Sequence, residues 1–117
     1  MAKLAVASLN KHKAEDIQII GIRDLTVIAD YFIIATGTSS TQVKALADYV
    51  EAELGEKEIR PLRVEGYPAA NWILIDYGSV IVHVFYAETR RFYDLERLWE
   101  DGQQLNLVDF IEDKERS

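Results

Sequence analysis

The sequence has 117 residues, a net charge of −7 at pH 7, no Cys and 49% hydrophobic residues. That is the span of one ordinary domain, long enough to bury about two-thirds of the surface its unfolded chain exposes. The lack of Cys removes disulfide scaffolds, thiolate zinc sites and thiol nucleophiles together, and the acidic balance opposes the counterion displacement on which generic nucleic-acid binding depends. No apolar run approaches the roughly 20 residues of a membrane helix, and the stretch from Leu4 to Leu9 is too short and too polar for a signal peptide. A soluble cytoplasmic protein is expected.

In chain order, the first dozen residues are a helix candidate with scattered apolar positions. Ile17, Ile19, Ile20 and Ile22 form a β-branched cluster typical of a strand. Tyr31 to Thr36 is a continuous apolar run, which predicts a strand buried on both faces. Ser39 then reads as a helix N-cap, with Gln42 completing a capping box. Val43, Leu46, Ala47, Val50 and Leu54 recur at helical spacing, and Gly55 is placed to stop that helix. Pro61 to Gly66 predicts a short strand, with Pro61 favouring its start or a sheet edge. Trp72–Tyr77 and Val80–Tyr86 are strands joined by a two-residue loop at Gly78-Ser79. Thr89 to Trp99 predicts a helix with Phe92, Leu95, Leu98 and Trp99 on one side. The predicted fold class is α/β: a single domain, residues 1–105, with a mixed sheet of about five strands and two or three packed helices. Residues 106–117 form an acidic C-terminal tail, in which Leu107, Val108, Phe110 and Ile111 could still dock.

The hairpin loop determines which side chains point together. It sets Tyr77 against Val80, Ile75 against Val82 and Ile73 against Val84. Those six make one apolar face, suited to the core. Trp72, Leu74, Asp76, Ile81, His83 and Phe85 make the other, which mixes aromatics, a carboxylate and an imidazole. This second face is either a buried one, with Asp76 and His83 satisfying each other diagonally, or a partner-binding face with aromatic anchors. A loop of odd length would exchange the two faces.

Catalytic patterns are sparse. His12 and His83 lie far apart, without metal-ligand spacing. Ser39 and Ser40 sit between a strand and a helix, but the G-x-S-x-G elbow lacks its closing Gly. Gly37 to Thr41 could cradle a phosphate at a helix N-terminus, although no P-loop Lys follows. Nucleotidyl transfer would need two carboxylates at alternate strand positions, and Leu74 stands two residues before Asp76. The acidic and mixed-charge clusters around Glu51–Glu58 and Arg90–Glu100 read as solvated surface.

An ordered set of segments resembles one family: Ala14-Glu15-Asp16-Ile17, Asp30–Gly37, Gln42-Val43 with Ala45, Ala47 and Asp48, Pro61–Gly66, Trp72–Gly78, Val82–Phe85 and Arg91–Trp99. Together, over residues 3 to 100, they resemble the ribosomal silencing factor, or Iojap-like, family. The resemblance implies a nucleotidyltransferase-like fold without catalytic carboxylates, no enzymatic activity and no cofactor. It also implies binding to the large ribosomal subunit through ribosomal protein L-fourteen, blocking subunit joining, with organelle relatives acting in large-subunit assembly. A homodimer is implied as possible; direct sequence-specific nucleic-acid binding and membrane association are not. Carried onto matching positions, the partner-binding residues are Trp72, Asp76, Tyr77, His83, Phe85, Tyr93 and Leu95, of which Tyr77 falls on the opposite hairpin face. Ser79, Ala70 and Thr38 depart from frequent family residues in loops, and the absence of a transit segment favours a bacterial-type member. A degenerate nucleotide-binding protein using Gly37–Thr41 and an assembly factor remain the alternatives.

Overall fold

The computed structural model describes residues 1–23, 25, 29–98 and 103–105, and side chains for all of these except 96, 98 and 103–105. The elements are α1 (Ala2–Lys11), β1 (Glu15–Gly21), β2 (Tyr31–Gly37), α2 (Ser40–Gly55), β3 (Arg63–Glu65), β4 (Trp72–Asp76), β5 (Val80–Tyr86), α3 (Ala87–Tyr93), α4 (Leu95–Leu98) and β6 (Gln103–Leu105). One mixed sheet runs in the order β3-β4-β5-β2-β1-β6. β2 and β5 pair in parallel at its centre, and every other neighbouring pair is antiparallel. The α/β class and the five longer-range strand expectations hold; β6 is a three-residue edge that carries no alternation signal. The predicted tail, residues 106–117, and Trp99 lie outside the described residues.

The two faces of the sheet have different covers. α1 and α2 lie on one, where Ala5, Val6 and Leu9 meet Val43, Leu46, Val50 and Leu54 above Ile19, Ile33, Ile73, Ile75, Val82 and Val84. The opposite face buries Ile20, Ile22, Phe32, Ile34, Ile81 and Phe85 under Leu95 and beside Trp72 and Leu74. β2 therefore contributes to both layers, as its unbroken apolar run requires.

The ends of the helices show where local chemistry decides. Ser39 Oγ accepts the Gln42 amide at 3.1 Å, which is the predicted cap. The Gln42 side chain returns to Thr38, accepting from its amide at 2.6 Å and its hydroxyl at 2.8 Å, one residue before the usual capping-box target. α2 does end at Gly55, but the stop is made three residues on. Glu58 takes the left-handed conformation (φ 62°), its amide bonds to Gly55 O, and the Ile59 amide reaches back to Leu54 O. This is a Schellman motif with Glu, not Gly, at its left-handed position. Lys13 (φ 67°) closes α1 in the same way, with the Ala14 amide on Leu9 O.

The predicted helix from Thr89 to Trp99 is broken. Asp94 adopts φ 46° and separates α3 from α4. The turn rotates the register, so Leu95 is buried at 8% exposure while Phe92 stands out at 81%, which corrects the expectation that both share the packed side.

Since Gly55 is ordinary helix and a Cβ there would meet only Arg60 Nη1 at 4.0 Å, Gly55→Ala is expected to stabilise by about 0.5–1 kcal/mol. Glu58→Gly should stabilise by a similar amount, about 0.5–1 kcal/mol, by relieving the left-handed penalty. Urea unfolding of both variants checks this; destabilisation by Gly55→Ala would place the helix stop at Gly55 after all.

Candidate functional site

The β4–β5 hairpin turns as its sequence demands. Gly78 holds φ +87° at the first loop position, and the Tyr77 amide bonds to Val80 O at 2.9 Å. Ile73 faces Val84 and Ile75 faces Val82, which sends those residues and Tyr77 into the helix-covered core. The other face then carries Trp72 opposite Phe85, Leu74 opposite His83 and Asp76 opposite Ile81. The placement of Trp72 depends on Gly66, at φ +82°, where a Cβ would lie 2.0 Å from the Trp72 carbonyl oxygen. Only glycine fits against the first residue of β4 in that way.

On this face the aromatic rings form a continuous chain. Phe85, fully buried, stacks on Trp72 with centroids 4.9 Å apart, and Trp72 meets Tyr93 at 4.9 Å. Tyr93 then meets Phe92 edge-on at 5.1 Å. Exposure rises along the chain, from none at Phe85 to 50% at Tyr93 and 81% at Phe92. Ring pairs at these separations are favourable, so the buried end anchors an apolar surface at the exposed end. Phe92 is the residue that sequence reasoning missed, because its exposure follows from the break at Asp94 and not from helical spacing.

Beneath the ring chain lies His83, 3% exposed, with Phe32 edge-on at 4.9 Å. The Trp72 indole donates to its Nδ1 at 3.1 Å. An indole N–H can only donate, so Nδ1 must carry the lone pair and Nε2 the proton of a neutral ring. Nε2 is buried and has no hydrogen-bond partner among the described residues. Burial in this apolar setting holds the imidazole neutral and pushes its pKa down to about 4.

Of the residues anticipated from the resemblance, Trp72, His83, Phe85 and Tyr93 come together in this ring system, and Leu95 packs into the same apolar cluster as Phe85. Asp76 and Tyr77 stand apart. Asp76 accepts from the Gly78 amide at 2.8 Å and from Arg63 Nε at 3.3 Å. It does not pair with His83; Leu74 occupies the cross-strand position and the carboxylate is drawn to the turn. Tyr77 is buried on the helix side, and burial, followed by the charge of Glu51, pushes its phenol up to about 12.

Elsewhere the Gln42 side chain accepts from the Thr38 amide and hydroxyl and Ser39 Oγ accepts from the Gln42 amide, so these groups of the Gly37–Thr41 segment and α2 are engaged in the helix cap. His12 bonds to Glu53 at 2.7 Å and stacks on Tyr49, on the opposite side of the sheet from His83. Among the described residues no group of three or more His, Cys, Asp or Glu could hold a metal ion, and no helix is long and apolar enough to cross a membrane.

A depressed imidazole pKa carries a pH signature. The unfolded chain takes up a proton near pH 6.5, while the folded chain resists until about 4, so this contribution to stability is complete above pH 6.5 and is lost as pH falls through that window. The loss between pH 7 and pH 4 should be about 3 kcal/mol, and His83→Leu should flatten the wild-type profile by that amount. Equal pH slopes for the two proteins in urea titrations would show that His83 titrates normally.

Comparison with known proteins gives a consistent assignment. Residues 1–117 match the family described as ribosomal silencing factor during starvation. A Halalkalibacterium halodurans protein named ribosomal silencing factor RsfS is 39% identical over 111 residues, covering 95% of each chain. A mouse protein named mitochondrial assembly of ribosomal large subunit protein 1 is 32% identical over 99 residues, covering 82% of this chain and 43% of that one. A crystal structure of a Chromobacterium violaceum protein superposes with a TM-score of 0.83 at 39% identity, covering 90% of this chain and 87% of that one.

Proposed function

From the premise that this chain belongs to the ribosomal silencing factor family, we propose that it is a cytoplasmic, non-enzymatic translation repressor. It binds the large ribosomal subunit through ribosomal protein L-fourteen and blocks small-subunit joining by occupying the surface where the small subunit would sit. The observation that carries this reading is the ring chain, buried at Phe85 and open at Tyr93 and Phe92. A face of that kind supplies what interface centres use: rigid aromatic anchors held by a packed floor. His83, Phe85 and Leu95 form the floor, and Trp72, Tyr93 and Phe92 offer the contact area. The net charge of −7 suits a basic ribosomal protein and speeds encounter with it, while disfavouring contacts made to RNA alone. Silencing by occupancy needs no chemistry, in keeping with a face of rings and one neutral imidazole. Self-association into a homodimer belongs to the same reading.

The mouse relative's name favours a second reading, in which the chain contacts large subunits during assembly. Both readings use the same face and differ in the consequence for joining.

Sedimentation with purified large subunits, followed by addition of small subunits, tests the proposal. Co-sedimentation with fewer joined ribosomes is the expected result. Binding that leaves joining unchanged would favour assembly, and no binding would overturn both. Trp72→Ala should weaken binding by about 2 kcal/mol or more, roughly thirtyfold, with some loss of stability because Trp72 also bonds to His83. Phe92→Ala, at a site 81% exposed, should weaken binding with the unfolding midpoint unchanged.

A further inference from the structure

α3 carries the outermost rings of the candidate face, yet none of its apolar side chains is buried. Its seven residues make about two turns, far below the length at which a helix sustains itself in water. Its single buried residue is Arg90, 7% exposed, whereas Phe92 and Tyr93 are open. Arg90 Nη1 donates to the Asp16 carbonyl at 2.6 Å and to Thr36 Oγ1 at 2.6 Å. One guanidinium nitrogen thus ties α3 to β1 and to β2 at once.

The acceptors are prepared for it. β1 has one extra residue between Glu15 and Gln18 relative to β2, and Asp16 takes φ 46° within that bulge. Bulges of this kind re-aim the groups they carry, and the Asp16 carbonyl within this bulge accepts from Arg90. Thr36 is 5% exposed, so its hydroxyl needs a partner and finds it in the same side chain. These residues, with Gln18, Arg91 and Asp94, line a cleft of about 490 Å³ beside the helix. Tyr93, three residues after Arg90, reaches Trp72 from the end of this anchored turn.

We propose that Arg90 is the positioning residue of the docking face: through Asp16 O and Thr36 Oγ1 it sets α3 against the sheet so that Tyr93 meets Trp72 and the ring chain extends to Phe92. The functional half of this inference rests on the docking role proposed above. The two protons of Nη1 are fixed in the guanidinium plane, one for each acceptor, whereas a lysine ammonium on a flexible stem fixes the same two directions less well.

Arg90→Gln in the full chain tests it with two readouts. The first is the NMR cross-relaxation contact between the Trp72 indole and the Tyr93 ring; the second is affinity for the large subunit. The contact should be lost while the amide signals of β2, β4 and β5 persist. Affinity should fall tenfold or more, to the level of Tyr93→Ala, and the double variant should bind no more weakly than Tyr93→Ala alone. Arg90→Lys should restore part of both. A retained ring contact overturns the proposal, and so does a lost contact with wild-type affinity when Tyr93→Ala itself binds weakly. If Tyr93→Ala and Trp72→Ala both bind as wild type, the docking reading fails and the ring contact alone decides whether Arg90 positions α3. Should Arg90→Gln not fold, Thr36→Val removes one acceptor and keeps the β-branched shape. The ring contact should then weaken, and an unchanged contact overturns the proposal.

Discussion

The register of one hairpin underlies the molecule. Side chains alternate along β4 and β5, so a slip of one residue would exchange the aliphatic and aromatic faces. The Gly78-Ser79 loop holds the pairing in which Ile73, Ile75, Val82 and Val84 meet the helices. Every feature of the opposite face follows: Trp72 over Phe85, His83 beneath the indole, and an apolar floor shared with β2. The loop is itself tied into the sheet, since the Ser79 carbonyl accepts the amides of Asp30 and Tyr31 at the start of β2.

The two layers are held by different physics. On the helix side, α1 and α2 bury continuous aliphatic stripes, and burial of that kind is roughly proportional to area and indifferent to direction. On the ring side the cover is short and the contacts are directional: within the sheet one indole bond to an imidazole, and in the cover one guanidinium bonded to two strands and a left-handed Asp94 that swings Leu95 inward. Directional contacts specify orientation, which a docking surface needs more than it needs bulk stability.

Much of this was legible in the sequence, and what was not has physical reasons. The two-residue loop made the hairpin faces readable, since turn length and alternation leave a single register. The α2 stripe and the doubly buried β2 announced themselves through period and composition. The helix stop at Glu58 was hidden because a left-handed Glu carries no compositional mark, whereas the nearby Gly55 does. Asp94 concealed the break in the last helix for the same reason, and with it the exposure of Phe92. Arg90 read as one charge among several on a solvated helix. Its burial depends on a carbonyl and a hydroxyl supplied by β1 and β2, remote in sequence, and only the assembled sheet brings these acceptors to it.

The central parallel pairing has a consequence for how the chain assembles. β1–β2 and β3–β4–β5 are antiparallel neighbours joined by short connections, but the β2–β5 ladder unites segments separated by α2, β3 and β4. Contacts between distant segments are rewarded only after the intervening chain has been confined, so they form late and slowly. Trp72, Leu74, His83 and Phe85 all belong to the second unit, whereas Phe32 and Ile34, which complete their floor, belong to the first. Closure of the central ladder therefore also completes the ring floor. A chain arrested before that step would present its aromatic residues without the support that gives them a defined arrangement.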